Sequence, residues 1–149
     1  MFALVLPVRV SSLTWEEERD VGEVDKKERK RFAVQLSTGS RDVGKVKSAL
    51  MFATLAQYSG CNTVVYCVQD GADAVVKGAI KEKGTLPAGV PTFEQRLAEA
   101  LEAGVKFQLC EQVAKNRNLA KKDLIEGAEI AGGIQLIMYA LEYDGLLFF

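Results

Sequence analysis

Histidine is absent from this sequence of 149 residues. Its absence excludes Ser-His-Asp and Cys-His catalysis, histidine metal ligation and histidine pH switching within one chain. Cysteine is scarce, with only Cys61, Cys67 and Cys110. An odd number of thiols in a chain with no recognisable leader speaks against a disulfide framework. Structural zinc sites take four Cys or His ligands in close pairs, which this spacing does not supply. No metal and no cofactor are therefore expected, and cysteine chemistry falls to one thiol acting alone or across subunits. Excess charge is also missing. Nineteen basic and twenty acidic residues leave a net charge of −1, whereas a broad nucleic-acid surface carries a basic surplus, so no direct nucleic-acid binding is expected. No apolar run approaches the ~20 residues of a membrane helix, so no membrane partner is expected. The opening MFALVLPV has no basic residues before it and is interrupted by Pro7. A secretory signal is not expected, and the cytoplasm is the expected compartment.

What is present divides at about residue 30. Residues 1–30 combine a strand-like MFALVLPVRV with the charged run EEERDVGEVDKKERKR, the composition of an extended arm or hairpin. Residues 31–149 alternate between strand and helix signals and form the expected domain. RFAVQLS (31–37) reads as a buried strand, residues 43–58 as a helix and NTVVYCV (62–68) as a second strand. A short helix is expected through about Lys77, followed by a mobile loop at Lys81–Pro91 that carries two prolines and two glycines. Thr92 and Gln95 make a possible capping box for a helix whose stripe is Phe93, Leu97, Ala100 and Leu101, with Gly104 at its end. VKFQL (105–109) is the next strand, a short helix follows over 111–117, and EIA (129–131) is a brief strand. Ile134, Ile137, Met138 and Leu141 form a last helical stripe before the strand LLFF (146–149). Alternation of this kind favours an α/β sandwich, with a mostly parallel sheet of about five strands and helices on both faces.

Two constellations bear on chemistry. GSRDVGKV (39–46) fits G-x-x-x-x-G-K between a strand and a helix, the pattern of a phosphate loop. The residue that should hold magnesium is Val46, and a polar strand-to-helix turn needs no ligand to explain it, so nucleotide binding at Gly39–Lys45 is the weaker alternative. The second is Cys110, at the end of a strand and the start of a helix. Functional residues of open α/β sheets gather at the carboxyl ends of strands, and a helix dipole favours the nucleophilic thiolate. Candidate binding residues around it are Ser37, Gly39, Gln69, Asp70, Gly71, Lys115 and Arg117. Lys115 and Arg117 favour a thiolate if they fold back, and Glu111 opposes it. Cys67 lies in the apolar run VVYCV and reads as core, as do Tyr66 and Tyr139, while Cys61 precedes its strand on the wrong edge for a site.

Four pieces, in order, resemble the DsrE/DsrF-like family, which includes the TusD-type sulfur-relay subunits. They are RFAVQLSTGSRD leading into ALMFATLAQYSG, then NTVVYCVQDGADAV, then GVKFQLC, and last KKDLIEGAEIAGGIQLI. Together they cover about residues 31–149. The resemblance implies a three-layer α/β/α sandwich that assembles into homo- or hetero-oligomers. It also implies that Cys110, and no other cysteine, takes a sulfane sulfur as a persulfide and passes it on. After the cysteine, TusD-type proteins tend to have small residues and an Arg-Gly pair. Here the run is Glu-Gln-Val-Ala-Lys-Asn-Arg-Asn, nearer to the single-subunit branches of the family.

The resulting expectation is a sulfur carrier or sulfurtransferase-like protein that uses Cys110, with sulfur donor and acceptor proteins as partners. The alternative from another class is a non-catalytic oligomeric protein that holds a small ligand near Cys110. Assembly into a homo-oligomer, a trimer or hexamer by the resemblance, agrees with the apolar run Leu146–Phe149 and with helices apolar on more than one face. The loop Lys81–Pro91 is expected to border Cys110 as a lid.

Overall fold

The computed structural model describes residues 29–149. The expected N-terminal strand and most of the charged arm lie outside the described residues. Five apolar stretches form strands: β1 (Arg31–Leu36), β2 (Asn62–Cys67), β3 (Lys106–Cys110), β4 (Glu129–Ala131) and β5 (Gly145–Phe148). They make one sheet in the order β4-β3-β2-β1-β5, and every neighbouring pair is parallel. Parallel strands need crossovers, and four helices occur in them: α1 (Val43–Tyr58), α2 (Phe93–Ala103), α3 (Glu111–Asn116) and α4 (Gly133–Glu142).

Strand alternation divides the interior into two cores. Val34, Leu36, Val65, Cys67, Phe107 and Leu109 point to one face, where Val46 and Leu50 of α1 and Phe93 and Ala100 of α2 pack on them. Ala33, Val64, Tyr66 and Cys110 point to the other, beneath Tyr139 of α4. The result is the three-layer sandwich. The register sets Gln35, Tyr66, Gln108 and Glu129 side by side in one row on the α4 face.

Local chemistry accounts for the helix starts. The Asp42 side chain accepts from the Lys45 amide at 3.0 Å and caps α1. Thr92 and Gln95 form the reciprocal capping box of α2, and Gly104 ends that helix. Two elements differ from the sequence pattern. The segment after β2 is a 3₁₀ helix over Gln69–Ala74, after which the chain pairs with a distant stretch instead of extending a helix. There the Ile125 amide donates to Val75 at 2.8 Å and the Lys77 amide to Asp123 at 3.0 Å. In α4 the apolar stripe faces outward. Ile134, Ile137 and Leu141 are 69%, 53% and 76% exposed, while Leu136, Tyr139 and Tyr143 turn inward. Tyrosines suit that inner face because their hydroxyls reach polar groups such as Gln108 on the sheet.

Candidate functional site

Cys110 is the last residue of β3 and the N-cap of α3. Phe107 and Leu109 occupy the α1–α2 core, so alternation turns Cys110 to the α4 face, where it is 9% exposed and stands opposite Ala131 of β4. The other thiols are placed elsewhere. Cys67 faces the opposite core and is fully buried, which pushes its thiol up to about 12 and keeps it un-ionised. Cys61 precedes β2, at the amino edge of the sheet. All three are free.

The wall beside Cys110 is built of tyrosine. The Tyr66 hydroxyl, reaching up from β2, lies against the Cys110 side chain and donates to the carbonyls of Gly132 at 2.9 Å and Ala131 at 3.2 Å. Burial first, and then the neighbouring Cys110, push the Tyr66 phenol well above its ordinary range, so it stays protonated. Its ring meets Tyr139 edge-on at 6.1 Å, and Tyr139 packs on Tyr143 at 4.5 Å and donates to Gln108 Oε1. Burial raises the Tyr139 phenol as well.

Next to this wall, the carboxyl ends of β1 and β2 bring most of the candidate binding residues together. Gly71 donates its amide to Ser37 at 3.1 Å and packs against Leu36 so closely that a methyl group would overlap the Leu36 carbonyl. Gly39 approaches the Asp70 carbonyl and the Asp73 carboxylate in the same way. Gln69 takes a positive φ of 50° to make the turn between them. Arg117, just beyond α3, donates to Asp73 at 2.8 Å and to Asp70 at 3.0 Å. The Ser37 hydroxyl is directed to the Phe149 carbonyl oxygen at 2.8 Å. Burial raises the Asp73 carboxyl, but the Ser40 amide at 2.9 Å and the Arg117 guanidinium outweigh it and hold Asp73 below the usual carboxylate range.

A family model for the DsrE/DsrF-like family matches residues 30–149. This chain belongs to that family. The uncharacterized protein MJ0989 of Methanocaldococcus jannaschii is 31% identical over 119 residues, which span 80% of this chain and 99% of that one. The uncharacterized protein MK0008 of Methanopyrus kandleri is 30% identical over 102 residues, or 68% of this chain and 79% of the other. The crystal structure of the ychN protein from E. coli shares the fold with a TM-score of 0.64 at 19% identity, covering 80% of this chain and 99% of that one.

In this DsrE/DsrF-like chain several expected roles change. Neither cation folds back to the thiol: Lys115 pairs with Glu111 at 2.8 Å, and Arg117 is held by the two aspartates. The turn at Gly39–Lys45 is no phosphate cradle. Asp73 takes the Ser40 amide and Asp42 takes the Lys45 amide, so carboxylates stand where a phosphate would need those donors. The loop Lys81–Pro91 borders the other face. Glu82 accepts from the Phe93 amide at 3.1 Å and pairs with Lys47 of α1 at 3.0 Å, and Lys47 also donates to Pro91. Tyr66 and Tyr139 are core residues as read, yet Tyr66 also touches Cys110, a contact absent from the sequence reading. The signal for it is faint: Tyr66 and Gln108 alternate in step with Cys110, but only the β2–β3 register makes them neighbours. Among the described residues no helix is long and apolar enough to cross a membrane.

Proposed function

We propose that this chain receives a sulfane sulfur on Cys110 and hands it to a partner thiol. The observation that carries this reading is the placement of Cys110. Cys67 and Cys110 both close strands, but Cys110 alone of the three thiols combines a strand end with an α-helix start and a place on the α4 face beside a polar wall. Membership of a family associated with sulfur relay supports the same chemistry. In the first step the Cys110 thiolate attacks the outer sulfur of a donor persulfide. The donor's S–S bond breaks, the donor leaves as a thiolate, and the cargo remains as a persulfide on Cys110. An acceptor thiolate then attacks that outer sulfur and releases the Cys110 thiolate, with no net oxidation. The cytoplasm, where thiols stay reduced, suits this cycle.

The test is intact-mass analysis of the full chain after incubation with a small persulfide donor. The wild type and Cys61→Ser gain one sulfur that a thiol acceptor removes, while Cys110→Ser gains none. If Cys110→Ser still takes up transferable sulfur, the site is elsewhere. If the wild type takes up none, the carrier reading fails in favour of ligand holding without covalent chemistry.

We also infer that copies of this chain assemble through α4 and β5. β5 ends the sheet and pairs only with β1 among the described strands. Ile134, Ile137 and Leu141 on α4 are exposed, and so is Phe148, on the same face of the sheet as α4. An apolar helix face beside an open strand edge suits a second copy presenting the same surface.

A further inference from the structure

We infer that the Tyr66 hydroxyl is a switchable hydrogen-bond donor that orients and stabilises an anionic sulfur on Cys110. The inference rests on the reading of Cys110 as the sulfur carrier. Its basis is the way the hydroxyl is held. The Tyr66 ring is fixed between β1 and β3 in the sheet and against Tyr139 of α4, so the phenol oxygen cannot wander. Only its proton is free to turn. In the resting site that proton points to the carbonyls of Gly132 and Ala131, and the hydroxyl stands beside the Cys110 side chain. Once Cys110 ionises, or carries a terminal sulfur anion, rotation about the C–O bond directs the same proton to sulfur. The Gly132 carbonyl keeps its bond from the Gln135 amide at 3.0 Å, so the switch does not strip it bare.

The charged side chains around the thiol supply no such donor. Glu111 on α3 follows Cys110 directly, and Glu129 of β4 lies in register with Gln108 on the Cys110 face. Both oppose an anion there. Lys115 is turned to Glu111, and Tyr139 on α4 gives its proton to Gln108. Gln35 on β1 is neutral. Tyr66 is thus the side chain of this wall placed to give a proton to sulfur, and a hydrogen bond to a charged partner outweighs one between neutral groups.

The experiment is the pH dependence of Cys110 alkylation in the full chain, resolved by peptide mapping, for wild type and Tyr66→Phe. Loss of the hydroxyl raises the Cys110 midpoint by about one pH unit, so alkylation below it slows about tenfold, with Cys61 as the unchanged internal control. Tyr139→Phe, which removes a hydroxyl bonded to Gln108, leaves the midpoint in place. A Tyr66→Phe midpoint equal to that of the wild type overturns the inference. Should Tyr66→Phe fail to fold, chain made with 3-fluorotyrosine supplies a more acidic donor, and its Cys110 midpoint falls; an unmoved midpoint there overturns the inference equally. Sulfur uptake is scored separately. Uptake by the wild type with an unmoved midpoint in the variant removes the role of Tyr66 alone. A moved midpoint with no uptake removes the carrier reading and leaves the Tyr66 contact standing.

Discussion

At the scale of single residues, the tightest constraints fall on small side chains. Gly71 sits where the turn after β2 meets the end of β1, and its missing side chain lets its amide bond Ser37. Gly71→Ala forces a methyl against backbone, not against a flexible side chain, so the turn itself has to move. The expected loss is about 3 kcal/mol in urea unfolding. A loss under 1 kcal/mol would mean that the two turns part easily. Asp70-Gly71 is a turn dipeptide by its local chemistry. Its packing reason is not local, because Leu36 lies far away along the chain and only the β1–β2 pairing brings it to Gly71.

At the scale of elements, Arg117 fastens the end of α3 to the 3₁₀ turn after β2, through Asp73 and Asp70. Asp73 has a lowered carboxyl pKa in the folded state, so its contribution is fully present above the unfolded value, near 3.9. It is lost as pH falls through the lower folded value. Asp73→Ala should therefore cost about 1 kcal/mol at neutral pH, discounted for the partial exposure of Arg117, and the gap to wild type should close in strong acid. Thermal melts at neutral and acid pH check this; a gap that widens in acid contradicts it. The loop Lys81–Pro91 gives a second test. Its ties to Lys47 and Phe93 place it on the α1–α2 face, so shortening Lys83–Gly89 leaves the rate of Cys110 alkylation unchanged while folding is kept. A changed rate would restore the lid.

At the scale of the whole molecule, the two faces of the sheet are covered unequally. Among the described residues, α1 and α2 cover one core, whereas α4 and Val113 of α3 lie over the other, and α4 exposes Ile134, Ile137 and Leu141 on the side of the sheet that β5 ends. α1 also shows Phe52, Leu55 and Tyr58 to solvent, with Phe52 stacked on Phe149. Leu141→Glu puts a charge on the exposed apolar face of α4 without touching the interior, since Leu141 is 76% exposed. Sedimentation velocity should show the wild type as an assembly and the variant shifted to smaller species, with an unaltered circular dichroism spectrum. A wild type that sediments as a monomer at micromolar concentration refutes assembly.

By itself the sequence determined the strands, most of the helices, the capping box at Thr92, the parallel α/β class and the place of Cys110 at a strand end. These rest on periodicity and turn chemistry, which act within a few residues. Only the tertiary structure decided which face each side chain meets. Ile134, Ile137 and Leu141 look like a buried stripe by spacing, and Tyr139 of α4 with Tyr143 just beyond it take the inner face instead. Lys115 and Arg117 were free in the sequence to turn to the thiol, and nearer or paired carboxylates claimed them. Tyr66 became the neighbour of Cys110 through the β2–β3 register and the packing of α4. Such contacts join residues that the chain keeps far apart. They follow from how sheet and helices close on one another, which no local pattern encodes.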